Sequence, residues 1–273
     1  MASQAEKGAA FYALHQRAHA FLIPNPWDIG SARVLAHLGF EALATTSAGF
    51  AFTAGRPDGR MDRAATLAHA AAIVSATGLP VSSDLENGFG DEPEDAAETI
   101  RLGAAAGLVG GSIEDSPRRA DEPLYEIEHA ADRIRAAAEV ARGLPFRFML
   151  TARAENFIVG RPDLADTIRR LQAYQDAGAD VLYAPGLSSH DQIAAVVRSV
   201  DRPVNVLGGI GASPLSLAEL SVLGVKRVST GSWLARAAQG GFLRAVRELR
   251  DQGTFGFTAD APTAREINPM LES

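Results

Sequence analysis

The segment "SSDLENGFG", Ser82 to Gly90, carries two carboxylates one residue apart and then two glycines around an aromatic. It follows "TGLPV", a helix end running into an apolar strand, so Asp84 and Glu86 stand where a strand gives way to a tight turn. Like charges there repel unless something positive answers them. The pattern recurs downstream: "GSIED" ends in Glu114 and Asp115, and "LTARAE" in Arg153 and Glu155. "TTSAGF" adds Ser47 and Gly49, "PVNVLG" adds Asn205, and "RVSTGS" adds Ser229 and Thr230. The four carboxylates at the first two strand ends, Asp84, Glu86, Glu114 and Asp115, would raise one another's pKa around one mouth unless a cation neutralised them. An all-oxygen set with no thiol or histidine cluster suits Mg²⁺ or Mn²⁺ better than Zn²⁺. A lone D-x-E is ordinarily a turn or a helix cap, and "NGFG" alone is a turn signal. The acidic ends of two strands, with Arg153 on a third, favour the metal.

Such residues converge only if the elements carrying them are arranged in a ring. Short apolar runs begin at Phe21, Ala42, Leu79, Leu108, Phe146, Asp180, Pro203 and Arg227, and stretches of helical period separate them. Gly39, Gly78, Gly107, Gly143, Gly178 and Gly224 stand where C-caps are expected. Eight strand–helix units predict an α/β fold, a (β/α)₈ barrel of the TIM type, with a doubly wound open sheet as the rival. The chain reads as a single barrel domain over residues 1–273, with 232–273 a C-terminal helical extension broken at "QGG", Gln239 to Gly241. That break would let the last helix leave its own barrel and pack on a neighbouring subunit, or would be a simple kink. Barrel active sites lie at the C-terminal ends of the strands, where the polar residues above are found.

Composition narrows the chemistry. The length of 273 residues suits one α/β barrel, and 47% hydrophobic with 22% charged residues is an ordinary globular balance. A net charge of −7 argues against nucleic acid or an anionic membrane as partner. The absence of cysteine removes disulfides, thiolate metal sites and a cysteine nucleophile. No run reaches the length of a signal peptide or a membrane span, so a cytoplasmic location is expected. Lys7 and Lys226, the only lysines, lie in the polar N-terminal segment and at a strand entrance, which argues against a Schiff-base aldolase.

"DLENGFG", "GSIEDSPRR" and "LTARAENF", in this order, resemble the isocitrate lyase/phosphoenolpyruvate mutase superfamily. The resemblance runs from "NPWDIGSARVLAHLGFEALATTSAG" to "GGIGASPLSLAELSVLGVKRV". It implies a (β/α)₈ barrel whose eighth helix is exchanged between subunits of a homo-oligomer, a dimer or tetramer. It also implies Asp84 as inner Mg²⁺ ligand, with Glu86 and Glu114 holding the metal's waters and Asp58 of "GRPDGR" as an outer acid. Ser47, Ala48 and Gly49 would take the carboxylate of a 2-oxo acid such as oxaloacetate, 2-oxoglutarate or a pyruvate-like acid. Arg153 would contact the oxo acid and stabilise enolate charge, and Asn205 would bind substrate. Arg153, Glu114 and Asp58 are thus the catalytic candidates.

The departures bear on the leaving group. "EDSPRRADEPLY" stands where the lyases carry K-[KR]-C-G with its catalytic cysteine, and Gly186 stands where they place a glutamate. Thr45 and Thr46 replace the aromatic of the phosphonate branch, and the mutase loop is not recognisable. The expected function is a Mg²⁺-dependent lyase cleaving a C–C bond of a small 2-oxo acid through an enolate, oxaloacetate decarboxylation being the simplest case. Alternatives are P–C cleavage of the phosphonopyruvate type and a non-catalytic 2-oxo-acid-binding protein. A sugar-phosphate barrel using "LGGIGASP" and "STGS" as phosphate loops is a further one. The segment Ser116 to Tyr125 is expected to be an unpacked lid, with Arg118 and Arg119 pairing a second substrate carboxylate. His190 is the one histidine with a functional prospect.

Overall fold

The computed structural model describes residues 2–209 and 213–272. Its centre is one parallel eight-stranded sheet: β1 Phe21–Ile23, β2 Leu43–Ala44, β3 Val81–Asp84, β4 Gly110–Glu114, β5 Met149–Arg153, β6 Val181–Tyr183, β7 Val204–Leu207 and β8 Arg227–Ser229. The order is β1-β8-β7-β6-β5-β4-β3-β2. A single hydrogen bond from Ala44 N–H to Pro24 O, 3.1 Å, joins the two end strands, so the ring is a nearly closed (β/α)₈ barrel. All eight expected strands are present, and the rival open sheet is excluded.

Eleven α-helices occur among the described residues. Between the strands run α2 Ile29–His37, α3 Ser47–Thr53, α4 Arg63–Ala76, α5 Pro93–Ala105, α6 Ile127–Gly143, α7 Leu164–Ala177, α8 His190–Ser199 and α9 Leu217–Val222. Four of the six expected glycine stops, Gly39, Gly107, Gly178 and Gly224, take positive φ. Gly143 is instead the last residue of α6, and α4 stops at Thr77 with extended backbone before Gly78.

One element was not anticipated, and one expectation fails. The polar N-terminal segment is a helix, α1 Gln4–His15, started by a Ser3–Glu6 capping box. Its Phe11 and Leu14 pack with Phe21, Ile23, Val109, Met149 and Val181, closing the N-terminal end of the barrel. Phe11 fits because β4 has glycine at 110: a Cβ there would lie 2.9 Å from the Phe11 ring. The failed expectation is at "QGG", where α10 Trp233–Gln252 runs unbroken. A glycine pair costs helix propensity but does not force a break when an amphipathic face holds the register. A 3₁₀ turn at Gly256–Asp260 and α11 Ala264–Leu271 follow, and the Leu271 carbonyl accepts from Arg33 of α2. No helix among the described residues is long and apolar enough to cross a membrane.

Candidate active site

Strand alternation decides which end residues face the mouth. On β4, Glu114 points toward the cavity, and Asp115 points outward into a buried cluster. Asp115 accepts from Tyr174 O–H at 2.6 Å, Arg170 Nη1 at 3.1 Å and the Glu155 amide at 2.8 Å. It therefore braces the turns after β4 and β5. On β3 the residue after Asp84, Leu85, is fully buried in the core. Glu86 then takes φ 49°, and this sharp left-handed step turns it back toward Asp84.

A cavity of ≈170 Å³ opens at the C-terminal ends of the strands, lined by residues from every strand and from the loops above them. Of the residues singled out from the sequence, Ser47, Ala48, Asp58, Asp84, Arg153 and Asn205 line it. Gly49 stands behind it: its amide donates to Thr46 Oγ1, and it packs so tightly that a Cβ there would lie 2.6 Å from Thr46 Cγ2 and 2.9 Å from Trp27 Cβ. Glu86 and Glu114 are buried beneath the arginines that reach the opening.

The acids and arginines form one network. Arg153 Nη1 lies 3.6 Å from Asp84 Oδ1 and 3.2 Å from Glu114 Oε2, and its other nitrogens clasp Glu155. Arg118 Nε donates to Glu114 Oε1 at 3.0 Å, and its Nη1 is 3.6 Å from both Glu86 and Asp58. Asp84 accepts the Ser47 hydroxyl at 2.8 Å.

These contacts split the pKa values. Burial works to raise Asp84, but Arg153, the Ser47 hydroxyl and Arg118 outweigh it and hold the acid below the ordinary aspartate range. Burial lifts Glu86 to about 7 against Arg118, helped by Asp84, Glu114 and Asp58. Glu114 is raised by burial despite Arg153 and Arg118, and Glu155 is raised to about 8 by burial against Arg153.

Whether this set suits a divalent cation can be tested on the oxygens themselves. Glu86 Oε1 and Glu114 Oε2 are buried without a hydrogen-bond partner, although the latter shares the Arg153 ion pair. Among the described residues no three His, Asp or Glu side chains are gathered closely enough to hold a bare ion. Anionic Asp84, with two further carboxylates short of donors, fits one direct ligand and others acting through water. That is the habit of Mg²⁺, which gives up its waters reluctantly.

Several residues stand apart from the expected picture. Arg118 and Arg119 part company: Arg118 lines the cavity, whereas Arg119 pairs with Asp91 and Glu122 on the surface. The expected lid is half packed, since Leu124 and Tyr125 are buried and Tyr125 O–H donates to Asp91. His190 is exposed at the start of α8 and does not line the cavity. The amides of Thr230 and Gly231 both donate to Asn25 Oδ1 at 2.9 Å, which spends the donors a phosphate loop after β8 would need. Ile210 to Ala212 of "LGGIGASP" lie outside the described residues. Lys7 bonds the Thr77 carbonyl and Lys226 the Arg17 carbonyl, and neither lines the cavity. Tyr183 and Arg227 line it without having been singled out. For Arg227 the available signal was its position two residues before Ser229 on β8, on the same face of the strand; β6 carried no recognised residue to point to Tyr183.

The phosphoenolpyruvate phosphomutase family model matches residues 11–250. An uncharacterized protein of Mycobacterium tuberculosis is 36% identical over 244 residues, 89% of each chain. A Bradyrhizobium protein named oxaloacetate decarboxylase is 31% identical over 209 residues, 74% of this chain and 69% of that one. A crystal structure from Burkholderia cenocepacia, provisionally described as a lyase/mutase, superposes with TM-score 0.96 at 61% identity, covering 99% of this chain and 97% of the other. A structure of oxaloacetate acetylhydrolase with its product oxalate superposes with TM-score 0.84 at 27% identity, covering 98% and 94%. The chain belongs to the phosphoenolpyruvate phosphomutase family, within the isocitrate lyase/phosphoenolpyruvate mutase superfamily.

Proposed function

From membership of this superfamily of lyases and mutases, we propose that the chain is a magnesium-dependent carbon–carbon lyase acting on a small 2-oxo acid. The simplest reaction is decarboxylation of oxaloacetate. The observation that carries this reading is the pair of donor-starved carboxylate oxygens, Glu86 Oε1 and Glu114 Oε2, beside Asp84 and Arg153 at one cavity. The names of the Bradyrhizobium relative and of the oxalate-bound structure support the substrate class.

Asp84 would hold the cation directly, with Glu86 and Glu114 acting through its waters. When bound, the ion supplies Lewis acidity at the 2-oxo group and its carboxylate. Ser47 fixes the rotamer of Asp84 through its hydroxyl, and Ser47 and Ala48 present the segment that receives the substrate carboxylate. Gly49 gives that segment room to pack. Arg153, held by Glu155 and Glu114, aims a preorganised charge at the C2 oxygen. The C3–C4 bond of oxaloacetate breaks, CO₂ leaves, and the electron pair spreads from C3 onto the C2 oxygen as an enolate. A solvent proton then adds to C3 and gives pyruvate. The leaving CO₂ needs no general acid, which suits a chain without the lyase cysteine. Asp58, half exposed beside Arg118, closes the outer side of the site, and Asn205 the inner. The enzyme is proposed to act in the cytoplasm as a homo-oligomer.

The test is pyruvate release from oxaloacetate by magnesium-loaded protein, with Asp84→Asn as the control for decarboxylation by free magnesium. A wild-type rate at least ~100-fold above the variant is expected, the scale of losing a principal electrostatic contributor. Equal rates, or full activity after exhaustive chelation, would overturn the reading.

A further inference from the structure

Three arginines reach the cavity, and two of them face acids. Arg118 meets Glu114, Glu86 and Asp58, and Arg153 meets Asp84, Glu114 and Glu155. Arg227 on β8 meets none among the described residues. It is 5% exposed, its Nε donates to Asn205 Oδ1 at 2.9 Å, and its Nη2 donates to Thr151 Oγ1 at 3.0 Å. Its Nη1 is buried with no hydrogen-bond partner.

What surrounds the guanidinium is neutral. From α1, the His15 Nδ1–H donates to the Phe11 carbonyl, and burial together with Arg227 itself pushes the imidazole down to about 3. From β6, burial keeps the Tyr183 phenol protonated by raising it to about 12. Burial lowers Arg227 to about 10, which still leaves it charged at neutral pH. A desolvated charge without a counter-charge is a liability to the fold. Holding it in place with Asn205, itself donating to Ser229, is the behaviour of a group kept for a ligand.

Its depth defines what that ligand can be. Arg227 bonds Thr151, two residues before Arg153 on β5, so it lies one inward-facing layer below the Asp84–Arg153 pair. Two strand residues span about 6.6 Å, an interval that a four-carbon diacid bridges. We propose that Arg227 is an anion subsite at the floor of the cavity, taking a second negative group at the far end of the 2-oxo acid. This rests on the 2-oxo-acid reading and deepens it, naming a dianionic substrate. The second group is a carboxylate or a phosphonate, both of which the guanidinium fork can grip bidentately.

The test uses magnesium-loaded full-length protein and the change in tryptophan fluorescence on rapid mixing, read before turnover. Probes are pyruvate, oxaloacetate and phosphonopyruvate, and variants are Arg227→Met and Arg227→Lys. The wild type is expected to bind at least one dianion tenfold or more tighter than pyruvate. Arg227→Met should lose that preference while pyruvate stays within twofold, Arg227→Lys should keep part of it, and the melting temperature of the Met variant should not fall. Loss confined to one dianion identifies the second group. If the wild type binds pyruvate and both dianions equally, the subsite is overturned and the 2-oxo-acid reading stands. If it binds none of them, that reading falls, and the subsite with it. Equal losses for all ligands with a lowered melting temperature would assign Arg227 to the fold and overturn the subsite.

Discussion

Arg118 Nε donates to Glu114 Oε1 at 3.0 Å, across a turn that places Arg118 in the left-handed region at φ 55°. The loop after β4 thus folds back at once and sets a guanidinium among Glu114, Glu86 and Asp58. Arg119, the next residue, leaves for surface pairs with Asp91 and Glu122. In the cation-free protein Arg118→Ala should therefore cost about 1.5–3 kcal/mol, the range for hydrogen bonds to charged groups. Arg119→Ala should cost under about 1 kcal/mol, as exposed pairs do. The charge removed at Arg118 also repelled any divalent cation. Magnesium should accordingly raise the melting temperature of Arg118→Ala more than that of the wild type. Equal magnesium shifts in calorimetric scans would show that Arg118 and the cation do not share this site.

A pH dependence follows from Glu86 at about 7 and Glu155 at about 8, both lifted by burial above the ordinary glutamate value. Where the folded pKa exceeds the unfolded one, the folded state binds more protons between the two values, and stability falls as pH rises through that window. Their contribution should be fully present below about pH 4.5, the unfolded glutamate range, and be lost by about pH 8. Melting temperatures at fixed ionic strength without divalent cations should decline between pH 6 and 8. Glu155→Gln should flatten the upper part of that decline. A profile unchanged by the substitution would mean that Arg153 keeps Glu155 ionised throughout.

Gly186, standing where the family lyases carry glutamate, has φ 91°, and a Cβ there would lie 2.7 Å from the Phe157 Cβ. A side chain at 186 is blocked by backbone conformation and by packing at once. Gly186→Glu should lower stability by about 2 kcal/mol or more in denaturant titration, without introducing cleavage of isocitrate or methylisocitrate. A stable Gly186→Glu protein would show that the loop after β6 can adopt the lyase conformation.

The fold was legible because barrel strands advertise themselves as short apolar runs between helical periods, and all eight runs formed strands. Asp84, Glu114 and Arg153 were legible for a related reason: alternation along a parallel strand fixes which end residue turns inward. What stayed hidden depended on contacts distant in sequence. Lys7 and the other polar positions of α1 masked a helix whose burial rests on Phe11 meeting Gly110. The separation of Arg118 from Arg119 depends on a backbone step that Arg residues seldom take. Arg227 sits in "VKRVSTG", where strand alternation assigns it inward, but a charged residue at a strand entrance ordinarily reads as solvent-facing.

The last prediction concerns α10. The helix buries only Ala235 fully, while Phe242 is 65% exposed, and Leu243 and Leu249 are also open to solvent; Phe255 beyond its end is 67% exposed. Apolar residues at 242, 243 and 249 fall on one side of a helix at the spacing an interface requires. Exposed apolar surface of this kind ordinarily marks an association site. Among the described residues, the side-chain hydrogen bonds and ion pairs of α10 beyond Arg236 stay within residues 248–257, so a second copy is the simplest cover, whether or not helices are exchanged. Light scattering at micromolar concentration should find an oligomer. Phe242→Asp should shift it toward monomer and lower its melting temperature, because α10 would lose the packing that supports its outer turns. A monomeric wild type, or an oligomer indifferent to charge at 242, would move the interface elsewhere on the barrel.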